Sequence, residues 1–124
     1  MFQGSSEDMA IFKQCTCCHK IWDTREIFLS DPNIKIIGYK ADFETLDLGM
    51  FFFNHLIAEC CSTITIYVKQ FKELYSGKYY GINKRGTNDC HGFCNSIENL
   101  NKCDVFCECV FVREIIQIIK EYPK

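Results

Sequence analysis

The cysteines of this chain occur in short clusters, and this clustering constrains the fold more than any other feature. Ten of the 124 residues are cysteine, a density typical of proteins built around disulfide bonds or metal ions. No N-terminal segment combines a basic stretch, an apolar run and a small-residue cleavage site, so the sequence predicts no signal peptide. We therefore expect a cytoplasmic protein whose reduced thiols bind metal.

The predicted cytoplasmic compartment depends on the origin of the first residues. The stretch "MFQGSS" resembles the remnant that a protease leaves when it removes an affinity tag, and the natural chain would then begin at Met9. We expect residues 1–8 to be such a remnant or a disordered start. If a leader was removed with the tag, the predicted compartment becomes the periplasm.

Apolar periodicity predicts a single α+β domain over residues 9–124. In its β-rich lobe, residues 9–77, three stretches have the β-branched and aromatic composition of strands: "NIKIIGYKADF", "GMFFFNH" and "STITIYV". Their short connections predict a small antiparallel β-meander. The second lobe, residues 78–124, is predicted to contain a loop followed by a Cys-rich helical segment.

Three helices are predicted around this meander. The stretch "IWDTREIFLSDP" indicates a short helix that Asp23 or Thr24 caps and that packs Ile27 and Phe28 into the core. A second short helix is predicted in "KQFKELYSG". The last 22 residues, from Cys103 onward, are predicted to form an amphipathic C-terminal helix.

The first cysteine cluster, in "QCTCCHKIW", predicts half of a metal site. Cys15 and Cys18 form a CxxC pair, a ligand spacing typical of zinc. A second pair is expected in the turn "NHLIAECCST", which the meander should bring beside the first. We predict that Cys60 is the third ligand and His55 the fourth, with Cys61 as the rival of His55.

The second cluster lies in "CHGFCNSIENLNKCDVFCEC" and contains two CxxxC pairs: Cys90, Cys94, Cys103 and Cys107. If each pair occupies one face of a helical turn and the two turns fold back on each other, four sulfurs meet. This pattern favours a second zinc ion, with disulfides, an iron–sulfur cluster and free thiols as alternatives. Cys109 and His91 are alternate ligands.

The same first cluster also supports a different chemistry. Together with His19, the two cysteines Cys15 and Cys18 spell CxxCH, the attachment sequence of a c-type haem. In that alternative, His19 is the proximal iron ligand and the cysteines form thioether bonds. Covalent haem attachment takes place outside the cytoplasm, so the absence of a predicted signal peptide favours zinc.

Charge and motif content argue against several functional classes. The net charge is −2, which gives no electrostatic attraction to nucleic acid. No apolar run approaches the roughly 18 residues that a membrane span requires. No GxSxG, HExxH or P-loop motif is present, so a non-catalytic protein is favoured. Trp22 is expected to pack over the metal site.

The stretches "CTCCHKIW", "DPNIKIIGY", "FFFNH", "CCST" and "VREIIQIIKEYP" are similar to those of small bacterial cysteine-rich proteins with a zinc-ribbon-like knuckle. The resemblance implies glycine where His19 stands, and it implies no activity. We therefore predict a zinc-binding structural or regulatory interaction module, with an unidentified protein partner and an open oligomeric state. The alternative is a thiol-based redox or metal-responsive sensor, in which Cys17, Cys61 or Cys109 competes for the metal.

Overall fold

Two small antiparallel sheets and two α-helices make up the described part of the chain, residues 11–60 and 62–124 of this computed structural model. The fold is α+β, as predicted. The predicted tag remnant and Cys61 lie outside the described residues. In chain order the elements are β1 Lys13–Gln14, β2 Ile21–Trp22, α1 Arg25–Ser30, β3 Ile34–Lys40, β4 Met50–His55, β5 Thr63–Tyr67 and α2 Val110–Lys120. Three 3-10 segments connect them: Leu46–Leu48, Val68–Leu74 and Phe93–Asn95.

The central sheet is the predicted meander, in the order β3–β4–β5 with both pairs antiparallel. Alternate residues of each strand point to opposite faces, which explains why Phe51 and Phe53 of β4 are fully buried. Ile64 and Ile66 of β5 are buried beside them. The aromatic and β-branched residues therefore form one apolar face that holds the core.

A β-bulge interrupts the pairing of β3 with β4 between Ile36 and Gly38. A Cβ atom at Gly38 would lie 3.1 Å from the backbone oxygen of Ile97, so this glycine allows the later loop to approach the strand closely. The backbone N–H of Tyr39 donates to the same oxygen at 2.8 Å. The bulge thus fixes the cysteine-rich C-terminal part of the chain against the meander.

The second sheet is the short hairpin of β1 and β2, in which Lys13 pairs with Trp22 and Gln14 with Ile21. Its turn, residues 15–20, contains the CxxC pair. Trp22 is fully buried, its ring meets the Phe28 ring edge-on, and its indole N–H donates to Asp31 at 2.9 Å. Trp22 therefore anchors the hairpin to the core.

Helix α1 follows this hairpin and is capped as predicted. The Thr24 side chain accepts a hydrogen bond from the backbone N–H of Ile27 at 3.1 Å, which satisfies one of the free N–H groups at the helix start. Phe28 is buried, but Ile27 is 48% exposed. The prediction that Ile27 packs inward was wrong, because this short helix turns only Phe28 and Leu29 toward the core.

Helix α2 begins at Val110, not at Cys103 as predicted. Residues before it are held by hydrogen bonds to a distant loop: the N–H of Glu108 donates to the Ile82 oxygen, at 2.8 Å. The apolar stripe is otherwise confirmed, and its fully or nearly buried members are Phe111, Val112, Ile115, Ile116 and Ile119. The stretch "KQFKELYSG" was predicted as a helix that reaches Gly77, whereas its 3-10 turns end at Leu74.

No helix of the described residues is sufficiently long and apolar to span a membrane.

Candidate metal centre

Four side chains from two separate turns meet in one place. The ligand atoms of Cys15, Cys18, His55 and Cys60 all lie within 4.8 Å of one another. We call this group the front site. Its members are the three cysteines and the histidine that the sequence predicts as the ligands of the first metal site. Three thiols and one imidazole form a donor set that can hold a metal ion.

The turn of the β1–β2 hairpin presents the first two ligands. The N–H of Cys15 donates to the Lys20 oxygen at 2.8 Å, and the N–H of His19 donates to the Cys15 oxygen at 3.0 Å. This tight turn requires a left-handed conformation at His19, with φ of 67°. Such a φ is uncommon for any residue except glycine, which explains the expectation of glycine at this position.

Backbone N–H groups in these turns point at the sulfurs. The N–H groups of Cys17 and Cys18 donate to the Cys15 sulfur, and the N–H of Lys20 donates to the Cys18 sulfur. In the second turn, Cys60 accepts a hydrogen bond from the backbone of Ser62 in the same way. These bonds favour thiolate over thiol, and a metal ion binds the thiolate.

The other two ligands come from the connection between β4 and β5. His55 is the last residue of β4, its N–H donates to the Ser62 oxygen at 2.9 Å, and only 1% of its surface is exposed. The Trp22 ring packs edge-on against the imidazole, with ring centroids 5.1 Å apart. The expected position of Trp22 over the site is therefore confirmed.

The distances between ligands are close to those of a tetrahedral site. The sulfurs of Cys15 and Cys60 lie 3.4 Å apart, and the Cys18 sulfur lies 3.6 Å from Nδ1 of His55. Four ligands at about 2.3 Å from a zinc ion would be separated by about 3.8 Å. The front site thus has the size that one tetrahedral ion requires.

Ser62 is a polar neighbour that sequence reasoning missed. Its hydroxyl lies 3.2 Å from the Cys15 sulfur and 3.0 Å from the Cys60 sulfur. The signal was its place in "CCST", two residues after Cys60, where a turn directs its backbone and side chain at the same sulfur. Ser62 therefore orients two ligands that come from different turns.

Hydrogen bonding lowers the pKa of two of the thiols. Burial alone would raise the pKa of Cys15, but the Cys18 backbone N–H, the Ser62 hydroxyl and His55 lower it to about 5. The Ser62 hydroxyl is also the main reason that the pKa of Cys60 is lowered. Both side chains are therefore prepared to act as thiolate ligands.

The remaining two ligands retain their protons more strongly. The Lys20 backbone N–H lowers the pKa of Cys18, but burial and the thiols of Cys15 and Cys60 outweigh it, so this pKa is raised. Burial lowers the pKa of His55, yet hydrogen bonds to the same two sulfurs raise it overall. A metal ion must therefore displace protons from Cys18 and His55 when it binds.

The residue that the haem alternative requires lies apart from the front site. His19 is exposed and is not among the four grouped ligands. The thiols of Cys15 and Cys18 lie against Cys60 and His55. This geometry favours a metal ion bound by the four front-site ligands over a haem iron bound by His19.

The five cysteines of the C-terminal part, which we call the back cysteines, are arranged differently. They are Cys90, Cys94, Cys103, Cys107 and Cys109, and all of them line one cavity of about 30 Å³. In residues 11–60 and 62–124, the front site is the sole group of three or more such ligands whose atoms all lie within 4.8 Å. Neither CxxxC pair forms an α-helical turn, so their sulfurs are more widely spread than predicted.

His91, predicted as an alternate ligand, is placed at the surface. Its Nε2 lies 3.0 Å from a carboxylate oxygen of Asp104, and both side chains are largely exposed. This exposed pair contributes little to stability. The five back cysteines are all free thiols.

Hydrogen bonding also shifts the pKa values of two back cysteines in opposite directions. A hydrogen bond with the thiol of Cys109 and the nearby charge of Arg113 together lower the pKa of Cys94 to about 7, against the effect of burial. The pKa of Cys109 is raised, first by this hydrogen bond and then by burial. Arg113 is fully buried, and sequence reasoning missed it because arginine is mostly exposed in proteins.

Comparison with known proteins found no matching family model, no matching curated protein and no matching solved structure. The chemistry of the front site is therefore inferred from its own geometry. The resemblance to small bacterial cysteine-rich proteins stays a prediction.

Proposed function

We propose that this chain is a zinc-binding protein in which Cys15, Cys18, His55 and Cys60 hold one structural zinc ion. The observation that carries the proposal is the convergence of four ligand atoms within 4.8 Å from turns that lie about forty residues apart in the sequence. Bringing unpaired thiols together without an ion gains little, whereas a zinc ion makes the same arrangement a source of folding free energy.

The donor set favours zinc over the other cofactors. Three thiolates and one imidazole are a common ligand combination of structural zinc, and they leave no open position for a substrate. Iron–sulfur clusters of the usual kinds require four cysteines or paired histidines. We therefore propose that the metal ties the β1–β2 hairpin to the meander and performs no catalysis.

The proposed role is that of a structural or regulatory module that binds a protein partner in a reducing, cytoplasmic compartment. A closed zinc site stabilises a small fold and leaves its surface free for contacts. The net charge of −2 gives nucleic acid no electrostatic reason to bind. We propose no nucleic-acid or membrane ligand.

Elemental analysis of the full chain, purified in reducing buffer without added metal, tests this function. We expect at least one equivalent of zinc that a weak chelator does not remove, together with a loss of cooperative unfolding when a strong chelator removes it. The variant Cys17→Ser serves as a control, because Cys17 is exposed and outside the front site. Less than about half an equivalent of any metal in the parent protein would contradict the proposal.

A redox or metal-responsive sensor is the second candidate, because Cys17 is exposed within the same turn as Cys15 and Cys18. Its oxidation would bring a new sulfur bond beside the metal ligands. Mild peroxide treatment separates the two functions. Zinc release that a reductant reverses would support the sensor, and zinc retention until denaturation would support the structural module.

A further inference from the structure

The back cysteines line a cavity that is suited to a single ion. Its volume of about 30 Å³ exceeds the roughly 10–15 Å³ that a cavity needs to hold one water molecule. Of the thiols that line it, Cys107 is 7% exposed and Cys109 is 5% exposed. The cavity is therefore large enough for one metal ion.

Four of these thiols are connected to one another. Cys109 shares hydrogen bonds with both Cys94 and Cys107, and Cys103 lies sufficiently near Cys94 for their charges to interact. Cys90 also lines the cavity, and its sulfur accepts a hydrogen bond from the Gly92 N–H. It is less buried than Cys109, so burial favours Cys109 as the fourth ligand, whereas the sequence had favoured Cys90.

Backbone donors support thiolate character here as they do in the front site. The N–H of Lys84 donates to the Cys107 sulfur at 3.2 Å, and the N–H of Val105 donates to the Cys103 sulfur. The latter bond joins a cysteine to the residue two positions later, as at Cys18 and Cys60 in the front site. Such bonds are typical of the turns that present thiolates to a metal.

Arg113 gives a second, independent reason to expect negative charge at this cavity. Its guanidinium is fully buried, and its Nη1 has no hydrogen-bond partner in the described part of the chain. The other nitrogens donate to backbone oxygens of Asn99 and Asn101, at 2.7–3.1 Å. No carboxylate of the described residues forms a salt bridge with it, whereas its charge interacts with Cys94.

A buried cation is costly unless a negative charge compensates it. A divalent ion that binds four thiolates carries net negative charge, so it would supply the counter-charge that Arg113 lacks. Four neutral thiols would not supply it.

We propose that Cys94, Cys103, Cys107 and Cys109 form a second zinc site, with Arg113 as the buried counter-charge that stabilises it. The four sulfurs lie farther apart than those of the front site, so binding draws the loop residues 103–109 inward by a small movement. Because these residues precede α2 and belong to no helix or strand, no regular element has to break.

Zinc content of full-length variants tests this second site separately from the front site. We expect two equivalents of zinc in the parent chain, one in Cys109→Ser, and two in the matched control Cys90→Ser. One equivalent in the parent would overturn the second site and leave the front site intact. Loss of zinc from Cys90→Ser with retention in Cys109→Ser would overturn the proposed ligand set.

A second measurement on the unmodified chain covers the case in which Cys109→Ser does not fold. Zinc-loaded protein is treated with an alkylating reagent, and the modified cysteines are identified by mass spectrometry of peptides. We expect the four proposed ligands to react only after a chelator is added, whereas Cys17 and Cys90 react at once. Reaction without the chelator, or reaction that requires a reductant and therefore reveals a disulfide, would overturn the proposal.

Discussion

The front site and the back cysteines use the same element, sulfur, on two different kinds of scaffold. In the front site, β4 ends at His55 and the β1–β2 hairpin sets the turn that carries Cys15 and Cys18. Most of the back cysteines lie on irregular loops; Cys94 lies in the 3-10 segment Phe93–Asn95, and Cys109 directly precedes α2. Accordingly, the front ligands converge within 4.8 Å, and the back thiols only surround a cavity.

This difference shows what regular secondary structure contributes to a metal site. Ladder hydrogen bonds between strands fix the ends of a turn, so the thiols in that turn are positioned before any ion arrives. A loop lacks these bonds and is positioned by scattered tertiary contacts, such as those between Arg113 and the oxygens of Asn99 and Asn101. The front site is therefore organised by the fold, and the proposed back site is organised by its ion.

The largest expected effect comes from removing a front ligand. Cys60→Ser should abolish cooperative unfolding of the zinc-loaded protein, because structural zinc contributes of order 10 kcal/mol and a small domain has about 5–15 kcal/mol in total. The matched variant Cys61→Ser should melt like the parent, since the group of four is complete without it. Thermal melts of both variants with zinc present measure this. The reverse order would place the ligand at Cys61.

The second prediction concerns pH, and the sign follows from the protons that zinc displaces. Cys18, with a pKa raised from 9.0, and His55, with a pKa raised from 6.5, are protonated in the metal-free form at low pH. Zinc affinity should therefore fall about tenfold per pH unit for each displaced proton as pH decreases from 8 to 6 (roughly the working range of zinc titrations).

Cys15 provides an internal check on this dependence of zinc affinity on pH. Its pKa is about 5, so it is already a thiolate above that pH and should steepen the loss of affinity only below pH 5. Competition titrations with a chromophoric chelator at several pH values measure the slope. An affinity that does not change with pH would contradict the proton assignment of the front site.

A smaller effect is expected when the buried cation of the back region is removed. Arg113→Met should destabilise the protein by about 1–3 kcal/mol, because the Asn99 and Asn101 oxygens lose buried donors. Arg25→Met is the matched control, since the salt bridges of Arg25 to Glu26 and Glu73 lie at the surface and contribute about 0–1 kcal/mol. Urea unfolding measures the stability of both variants. Equal losses of stability would contradict a structural role for Arg113.

The smallest effects are expected from two residues with a left-handed backbone conformation, one in the turn of the front site and one among the back cysteines. His19→Gly should stabilise the protein by about 0.5–1 kcal/mol, because glycine adopts positive φ without a steric penalty. Gly92→Ala should destabilise it by a similar amount, since Gly92 has φ of 77° and an added Cβ would meet the Asn95 side chain only at an ordinary contact distance of 3.9 Å. Chemical denaturation of zinc-loaded protein measures both changes. A destabilised His19→Gly would indicate that the histidine side chain contributes to the front turn.

Local patterns in the sequence were sufficient to predict the meander and the residues of the front site. Alternation of apolar residues in "STITIYV" gave the correct core face, with Ile64 and Ile66 buried. The CxxC spacing and the expected return of the meander together paired the first turn with His55 and Cys60. The strands were predicted correctly because strand periodicity depends on nearby residues only, and the pairing of the two turns followed from the order of the strands in the meander.

Tertiary contacts account for what the sequence did not predict. Helix α2 begins at Val110 because Glu108 hydrogen-bonds to Ile82, and the Cys109 side chain caps none of the backbone N–H groups at the helix start. Arg113 lies within an apolar stretch, but its burial depends on the loop oxygens of Asn99 and Asn101. No local pattern records contacts of this kind.

The most direct test of the central claim is zinc K-edge X-ray absorption of the Cys94→Ser variant, which lacks one ligand of the proposed second site and keeps all four ligands of the front site. We expect three sulfur ligands at about 2.3 Å and one nitrogen at about 2.0–2.1 Å, from Cys15, Cys18, Cys60 and His55. Four sulfur ligands and no nitrogen would contradict the assignment of His55. A variant that binds no zinc would contradict the front site altogether.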